Sequence, residues 1–278
     1  MIAEKMSVFA RHRDLWRLEP DGGAIETPSS WLLPVRRRGA AAMLKIPKPT
    51  SDERNAAAVL RYLAGEGAVR LIAADAEALL MERAGGPRSL TAMAIAGADD
   101  AAAAALAEIV AKLHAPRAAP PPDGLISLRD WFSSLFLHQA ALPLLGRCAR
   151  VARALLDSAR DVVPLHGDLH HDNVLDGGAR GWLAIDPKGL LGERSYDIAN
   201  LLGNPLPHGE IVHDPERMRR LATLYAARLG LETGRVLAFG LAHAGLAASW
   251  HIDDCSDPSF RLTSAEMFAA LVAETDFA

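Results

Sequence analysis

The segment over residues 173–186 places the strongest constraint on how this chain can fold. It reads as a short strand at 174–175, a glycine-rich turn, and a return strand at 182–185. In an antiparallel hairpin the start of the first strand lies beside the end of the second. We therefore expect Asn173 and Asp186, which flank the two strands, to face the same space.

A third polar side chain, Asp168, lies on the loop just before this hairpin. Two adjacent oxygen ligands suit Mg²⁺, which keeps phosphate and water as its other ligands. A carboxylate that reaches the same space can orient a hydroxyl group and take its proton. Singly, Asp168, Asn173 and Asp186 would be read as turn or strand-end residues. Together, in this order and spacing, they favour a phosphoryl-transfer site of the kinase type.

Lys45 lies in an apolar strand pattern over residues 41–46, where a charge needs a partner or a ligand. In the kinase arrangement, a strand lysine contacts the nucleotide phosphates and pairs with a helix glutamate. Glu53, early in a helix predicted over residues 52–63, is the acid placed for that pairing. The alternative is a lysine that reaches solvent and an acid that stabilises the helix dipole.

The pattern along the chain predicts an α+β fold of two lobes, divided at the glycine- and proline-containing segment 85–87. Residues 1–84 would form a small, β-rich nucleotide-binding lobe with one main helix. Residues 85–278 would form a larger, mostly helical lobe that carries the catalytic loop and the acceptor site. Strands are predicted at 30–35, 40–46, 69–73 and 78–81, and helices at 52–63, 99–114, 127–139, 144–161, 196–202, 214–229, 234–250 and 264–275.

The composition excludes several classes of function. A net charge of -4 over 278 residues gives no overall basic field for nucleic acid. The start of the chain lacks the apolar core of a signal peptide, and no apolar stretch predicts a membrane span. Cys148 and Cys255 lie far apart without metal-type spacing, as expected for a cytoplasmic protein. No glycine-rich G-x-G-x-x-G loop precedes Lys45, and no Walker A sequence occurs.

The sequences HGDLHHDN and AIDPKG, which contain the acids and amide described above, resemble the aminoglycoside phosphotransferase family. Within that family the chain is most similar to the branch of streptomycin and hydroxyurea kinases, over about residues 29–254. The resemblance implies a protein-kinase-like fold with ATP held between two lobes. It also implies that Asp168 is the catalytic base and that Asn173 and Asp186 are Mg²⁺ ligands.

The resemblance suggests further nucleotide contacts. In this branch a serine-bearing turn covers the phosphates, and Ser29 and Ser30, with Thr27, could supply it here. The segment at the end of the first lobe would be the hinge, with backbone groups of Glu82 and Ala84 facing adenine. Its alternative is a plain linker between the lobes.

The acceptor is expected to be small, because no long activation segment follows Asp186. Asp197 matches a family position that steadies the catalytic loop.

Family members that take cationic antibiotics use acids from the helical lobe. The candidates here are Glu193, Asp253, Asp254 and Asp257, with Trp250 and His251 beside them. Such a cluster could bind guanidinium or ammonium groups, or it could be a solvated loop. Lys188 could neutralise the transferring phosphate or lie at the surface.

The histidines His166, His170 and His171 lack the spacing of zinc sites and are predicted to pack in or brace the catalytic loop. We therefore predict an ATP- and Mg²⁺-dependent O-phosphotransferase, monomeric or homodimeric. Its acceptor would be a small, cationic, hydroxyl-bearing molecule, foremost an aminoglycoside such as streptomycin. The alternatives are a kinase of another metabolite (a sugar, an amino alcohol or a hydroxyurea-like compound) and a kinase-like protein that binds nucleotide without catalysis.

Overall fold

The computed structural model describes residues 2–49 and 53–272. Within these residues, the four predicted strands and two short ones that were not predicted, β1 and β2, form one sheet: β1 (Glu19–Pro20), β2 (Ile25–Glu26), β3 (Ser30–Arg37), β4 (Ala40–Pro47), β5 (Leu71–Ala74) and β6 (Leu79–Glu82). The strands pair in the order β1-β3-β4-β6-β5, with β2 also on β3. The β3–β4 hairpin turns at Arg38 and Gly39, whose φ angles of 52° and 80° match a two-residue hairpin turn.

In the part of the chain that the structure describes, two helices accompany this sheet, where the sequence predicted one main helix. Helix α1 (Ile2–Trp16) packs Phe9 into the small core on one face of the sheet. It was not predicted, because apolar and charged residues alternate along it without a clear helical face. Helix α2 (Ala56–Leu63) carries four buried apolar residues toward the rest of the molecule.

Helix α2 begins later than predicted, at Ala56 rather than at residue 52. Glu53 therefore precedes the helix, while Asp52, where the helix was predicted to begin, lies outside the described residues. The Asn55 side chain donates hydrogen bonds to the carbonyls of Gly124 and Gly189, at 3.0 and 3.3 Å. The start of this helix thus contacts the second lobe. The sequence around the helix start contains no signal for that contact.

The second lobe is mostly helical, as predicted. Its helices are α3 (Leu90–Ile95), α4 (Asp99–Leu113), α5 (Leu128–Trp131), α6 (Ser133–His138), α7 (Pro143–Asp157), α8 (Tyr196–Leu202), α9 (Gly209–Val212), α10 (Pro215–Leu229), α11 (Thr233–Asp253) and α12 (Ser259–Leu271). The helix predicted over 127–139 is divided into α5 and α6, and α3 and α9 were not predicted. Among the described helices, none is both long and apolar enough to cross a lipid bilayer.

The described residues of this lobe also include five short strands: β7 (Ile126–Ser127), β8 (Val162–Leu165), β9 (Val174–Asp176), β10 (Trp182–Ala184) and β11 (Leu190–Glu193). Strands β7, β11 and β8 form one small sheet, and β9 and β10 form the predicted hairpin. Strands β8 and β11 were not predicted, because each is four residues long and pairs with a distant partner.

The core of the molecule centres on α11, which packs against α7, α8 and α12. This large core also includes Val59, Leu60 and Leu63 of α2, so the apolar packing continues across the segment that joins the lobes. That segment is held to the β9–β10 hairpin, because the Gly86 N–H donates to the Asp176 carbonyl at 2.8 Å. A Cβ at Gly86 would lie 2.3 Å from the Asp176 side chain, so this close approach requires glycine.

Candidate active site

The β9–β10 hairpin brings Asn173 and Asp186 together as the sequence predicted. Val174 pairs with Ala184, and one step further the Ile185 N–H donates to the Asn173 carbonyl at 2.9 Å. Asp186 follows with φ 59°, a left-handed conformation that is uncommon for a residue other than glycine. Such backbone strain is typical of functional sites, where surrounding contacts hold it in place.

Asp197 holds the predicted catalytic loop, residues 166–173, by hydrogen bonds at the start of that loop. Its carboxylate accepts hydrogen bonds from the backbone N–H groups of His166 and Gly167, at 3.0 and 2.8 Å. His114 Nε2 lies 2.8 Å from the same carboxylate. Burial raises the pKa of Asp197, but the hydrogen bond and charge of His114 and the hydrogen bond from the Gly167 N–H outweigh it, so the net shift is downward. An ionised, buried Asp197 thus fixes the loop that carries Asp168.

Asp168 is held at one oxygen and open on the other side. Its Oδ1 accepts a hydrogen bond from Asn200 Nδ2 at 3.1 Å, and its Oδ2 lies 3.9 Å from Lys188 Nζ. Its side chain is 35% exposed, which leaves room for a ligand hydroxyl. The Asn173 amide donates to the Asp168 carbonyl at 2.8 Å, which leaves the amide oxygen of Asn173 as a possible metal ligand.

The three histidines of the loop lie where packing residues would. His166 Nδ1 accepts the Asp168 N–H at 3.3 Å, so its Nε2 donates to the Ile185 carbonyl at 2.7 Å. Burial lowers the pKa of His166, which keeps this ring neutral. His170 accepts the Asp172 N–H, and His171 is buried with a pKa lowered by burial to about 4. These histidines therefore connect and support the loop.

Lys45 is buried at 2% exposure between two carboxylates. Its ammonium group pairs with Glu53 and lies 2.8 Å from Asp186 Oδ1. Lys188 Nζ lies 3.8 Å from the other oxygen of Glu53. The structure thus brings Lys45, its predicted partner Glu53 and Asp186 together in one cluster, in which positive and negative side chains alternate.

The turn between β2 and β3 lies at the edge of the same space. The Thr27 N–H and hydroxyl donate to the Ser30 carbonyl at 2.9 and 3.0 Å, and the Ser30 N–H donates back to the Thr27 hydroxyl at 3.0 Å. Ser29 lines a cavity that also contains Asp168. Ser30 begins β3 and is buried at 1% exposure, so Ser29 and not Ser30 reaches the cavity.

The segment predicted as the hinge leaves the sheet at Glu82, the last residue of β6. The Glu82 carboxylate pairs with Arg180 and accepts the Arg70 N–H at 3.1 Å, while the Glu82 N–H donates to the Arg70 carbonyl at 2.9 Å. Ala84, which follows between the lobes, packs partly buried against the large core. The side chain and the N–H of Glu82 are thus both used in structural contacts.

Two cavities, of about 570 and 220 Å³, meet at Asp168. The larger cavity also reaches Ser29, Trp131, Lys188 and Asp253, and the smaller one reaches His170, Asp172, Asn200, Asn204 and Arg261. Both are lined by Asp168, His243, Trp250 and Asp254. The smaller cavity also touches His251. A ligand hydroxyl at Asp168 could therefore extend in two directions.

The two acids at the end of α11, Asp253 and Asp254, differ in the contacts that their carboxylates make. Asp253 accepts hydrogen bonds from Ser134 and His138, at 2.5 and 2.7 Å, and these lower its pKa. Asp254 follows the last turn of α11 and lines both cavities. Trp250 packs edge-on against Trp131, with ring centroids 5.3 Å apart, and forms an apolar wall beside them.

The structure corrects two of the predicted acceptor contacts. Glu193 is buried, and Arg235 donates to both of its oxygens at 2.5 and 2.6 Å. It belongs to a separate surface pocket with Arg160, so its charge is neutralised away from Asp168. Asp257 accepts the N–H of Ser259 at 2.9 Å at the start of α12 and lines neither cavity at Asp168.

Sequence reasoning missed Asn200 and Arg261. Asn200 lies three residues after Asp197 on α8, a spacing that places both on one helix face, so the signal was present. Arg261, on α12, lines the smaller cavity, and no ion pair or hydrogen bond of its guanidinium is found within the described residues. Burial lowers the pKa of Arg261, while the charge of Asp168 opposes that shift. No local pattern marked this arginine.

The fold defines the class of protein. The chain matches the structure of a choline/ethanolamine kinase family protein from Mesorhizobium loti with a TM-score of 0.67 and 15% identity, covering 100% of this chain and 97% of that one. At this identity the match shows the fold alone, which is the protein-kinase-like fold of two lobes that the sequence predicted.

The chain belongs to the family of aminoglycoside/hydroxyurea antibiotic resistance kinases, whose sequence profile matches residues 15–255. It is 47% identical over 242 residues to a streptomycin 3''-kinase of Klebsiella pneumoniae, covering 86% of this chain and 90% of that protein. It is 33% identical over 268 residues to a streptomycin 6-kinase of Streptomyces griseus, covering 91% and 85%. The predicted family and the predicted enzyme class, a small-molecule kinase, are confirmed.

Proposed function

We propose that this protein transfers the γ-phosphoryl group of ATP to streptomycin, at its 3''-hydroxyl group, in the cytoplasm. The observation that carries the proposal is one polar cluster beside two cavities: Asn173 contacts Asp168, Lys45 contacts Asp186, and Asp168 lines both cavities. The choice of hydroxyl follows the relative named a streptomycin 3''-kinase, at 47% identity; the two named 6-kinases are 33% and 31% identical.

Asn173 and Asp186 would hold Mg²⁺ in this site. The donor set fits, because an amide oxygen and a carboxylate are hard oxygen ligands and the Asn173 amide nitrogen is already used in the bond to the Asp168 carbonyl. Bound Mg²⁺ would supply positive charge to the phosphates. In this assignment Asp186 serves both the metal and Lys45, whose ammonium lies 2.8 Å away.

The nucleotide would lie between residues 1–84 and residues 85–278. Lys45, fixed by Glu53, would contact the phosphates, and the turn at Ser29 would cover them. Backbone groups of Glu82 and Ala84 would face adenine. Catalysis would depend mainly on positioning and charge neutralisation, as is usual for phosphoryl transfer.

Asp168 would act as the base. The acceptor oxygen forms a bond to the γ-phosphorus, the bond from that phosphorus to the bridging oxygen breaks, and ADP leaves. The hydroxyl proton passes to the Asp168 carboxylate and then to solvent. Lys188, at 3.9 Å from Asp168, would offset negative charge beside the reacting oxygen.

The acceptor would be oriented by the charges around the two cavities. Streptomycin carries guanidinium groups on one ring, a methylammonium group on the sugar that bears the 3''-hydroxyl, and an uncharged sugar between them. Asp254 and Asp253, with Trp250 as an apolar wall, would face the cationic groups. Arg261, on the side of the smaller cavity, would face the oxygen-rich, uncharged part.

A coupled assay of ADP release tests this proposal. We expect release that depends on both Mg²⁺ and streptomycin, with hydroxyurea, sugars, amino alcohols and other aminoglycosides as the comparison panel. Phosphorus–proton correlation by NMR then locates the phosphate, which we expect on the 3'' oxygen. Absence of streptomycin-dependent ADP release by folded, ATP-binding enzyme would contradict the proposed acceptor, and a phosphate elsewhere on the product would contradict the proposed hydroxyl.

A further inference from the structure

We propose that Asn200 is a positioning residue for Asp168 and that a buried polar chain holds it in place. The chain of contacts runs from Asp99 through Arg217 and Asn204 to Asn200 and ends at the Asp168 carboxylate. This inference rests on the proposed role of Asp168 as the base, and it adds a determinant of the rate beyond the residues predicted from the sequence.

The contact at the active-site end selects one oxygen of the base. Asn200 Nδ2 donates to Asp168 Oδ1 at 3.1 Å, and Asn200 is only 6% exposed. The torsion that turns a carboxylate is broad and has little preference of its own. A donor fixed on Oδ1 therefore restricts that rotation and presents Oδ2, which faces Lys188 at 3.9 Å, to the acceptor hydroxyl.

Asn204 determines which way the Asn200 amide faces. The Asn204 side-chain amide donates to the Asn200 side-chain oxygen at 3.0 Å and to the Asn200 backbone carbonyl at 2.8 Å. Because the Asn200 oxygen already accepts from Asn204, its NH₂ group is the one directed at Asp168. A reversed amide would place two acceptor oxygens together at Asp168 and lose both bonds.

Asn204 is in turn held by a buried ion pair. Arg217 of α10 donates to the Asn204 carbonyl at 2.9 Å and makes a two-bond contact with Asp99 of α4, at 2.9 and 2.8 Å. Such a bidentate contact is geometrically strict. Arg217 is 3% exposed, and a buried ion pair seldom improves stability over apolar packing. Its contact with the Asn204 carbonyl gives this pair a second role, as the anchor of the chain.

The decisive experiment separates positioning from stability. Asn200→Ala removes the donor, and we expect kcat to fall about 10- to 100-fold, the scale of a small misplacement of a reacting group. KM for ATP and for streptomycin should stay within about 3-fold, because the amide nitrogen and oxygen of the Asn200 side chain are already bonded to Asp168 and Asn204. Asn200→Asp has nearly the same shape and still accepts from Asn204, yet it cannot donate when ionised. It should lose at least as much kcat as the alanine variant.

Leu145→Ala is the matched stability control, because this fully buried residue of α7 lies outside the catalytic loop and both cavities. It should lower Tm at least as much as Asn200→Ala while kcat of the folded enzyme stays near wild type. Asn200→Ala with kcat within about 2-fold of wild type, or with a loss that Leu145→Ala reproduces at equal Tm, would overturn the proposal. Asp168→Asn is assayed alongside to test the base assignment separately. If Asp168 is not the base, Asp168→Asn stays fully active. If Asp168 is the base but Asn200 does not position it, Asp168→Asn loses activity and Asn200→Ala does not.

A double-variant cycle tests the chain beyond Asn200. Asn204→Ala frees the Asn200 amide to rotate, so it should lower kcat on its own. When Asn200 is already alanine, the second change has nothing left to act on, and the double variant should equal Asn200→Ala within about 2-fold. Multiplicative losses in the double variant would exclude a role of Asn204 through Asn200.

Discussion

Lys45 illustrates what a single buried charge requires. At 2% exposure its ammonium group has given up water, and it is offset by Glu53 and by Asp186 at 2.8 Å. Removing one charged side chain from such a cluster leaves the others buried without a partner. The resulting loss in the free energy of unfolding is larger than the net contribution of the ion pair itself. The unexpected charge in an apolar strand was the sequence signal for this cluster, and here that signal was sufficient.

Lys45→Met should lower the free energy of unfolding by about 3 kcal/mol and remove turnover. The double variant Lys45→Met with Glu53→Gln should recover part of the stability but no activity, because it removes the stranded charge without restoring a phosphate contact. Urea unfolding and the coupled assay measure the two effects. The control is Lys48→Met, whose partly exposed pair with Glu26 should contribute about 1 kcal/mol or less. An equal loss of stability in Lys48→Met would contradict the account.

Arg261 provides the second prediction at this scale. Arg261→Gln should raise KM for streptomycin about 10-fold and leave KM for ATP unchanged, because a charged donor to a ligand oxygen is worth roughly 1.5 kcal/mol. Steady-state kinetics with each substrate varied in turn measures this. A lower KM for streptomycin in Arg261→Gln would mean that the arginine repels the cationic acceptor, contrary to the proposed orientation.

At the scale of elements, the β9–β10 hairpin was predictable because its strands and turn are local in sequence. The start of α2 was not, because Asn55 is turned toward carbonyls of the other lobe. Glu193 was assigned wrongly for a similar reason: its partner Arg235 comes from α11, far along the chain. Short elements and buried ion pairs that depend on distant partners leave no periodic pattern to read.

Gly167, in the catalytic loop, has to be glycine for two reasons: its left-handed backbone and the closeness of a neighbouring side chain. A comparison with Gly178 separates the two reasons. Gly167 has φ +86°, and a Cβ there would lie 2.7 Å from the Leu190 side chain. Gly178, in the turn of the β9–β10 hairpin, has φ +63° with open space around it. Both alanine variants should lose roughly 1 kcal/mol for the left-handed backbone.

Only Gly167→Ala should also displace Asp168 and lower kcat, by about 100-fold. Thermal unfolding and the coupled assay, run on both variants, make the comparison. Equal kcat losses in Gly167→Ala and Gly178→Ala would show that the Leu190 contact does not constrain the loop.

For the whole molecule, the continuous core and its buried ionisable groups determine how stability responds to acid. Burial lowers the pKa of His171 to about 4 and that of His243 to about 3, both below the ordinary value of 6.5. In the window between these values and 6.5 the unfolded chain binds protons that the folded protein does not. Stability therefore rises with pH there and is lost as pH falls. The lowered pKa of Asp197 adds a further loss at still lower pH.

The free energy of unfolding should decrease by about 2 kcal/mol from each of these histidines between about pH 7 and pH 4.5. Urea unfolding at the two pH values measures the total, and His171→Gln should reduce the difference by one histidine's share. A free energy of unfolding that is constant over this range would contradict the buried, neutral state of both rings.

The central claim is that Asp168 is the base of a streptomycin kinase, and one comparison tests it most directly. Streptomycin-dependent ADP release and Mg-ATP affinity are measured for wild type and Asp168→Asn, with Asp157→Asn, an exposed acid paired with Arg129, as the charge control. The account predicts that Asp168→Asn loses about 100-fold or more in kcat, keeps Mg-ATP binding, and that Asp157→Asn behaves as wild type. Wild-type turnover of streptomycin by Asp168→Asn would contradict it.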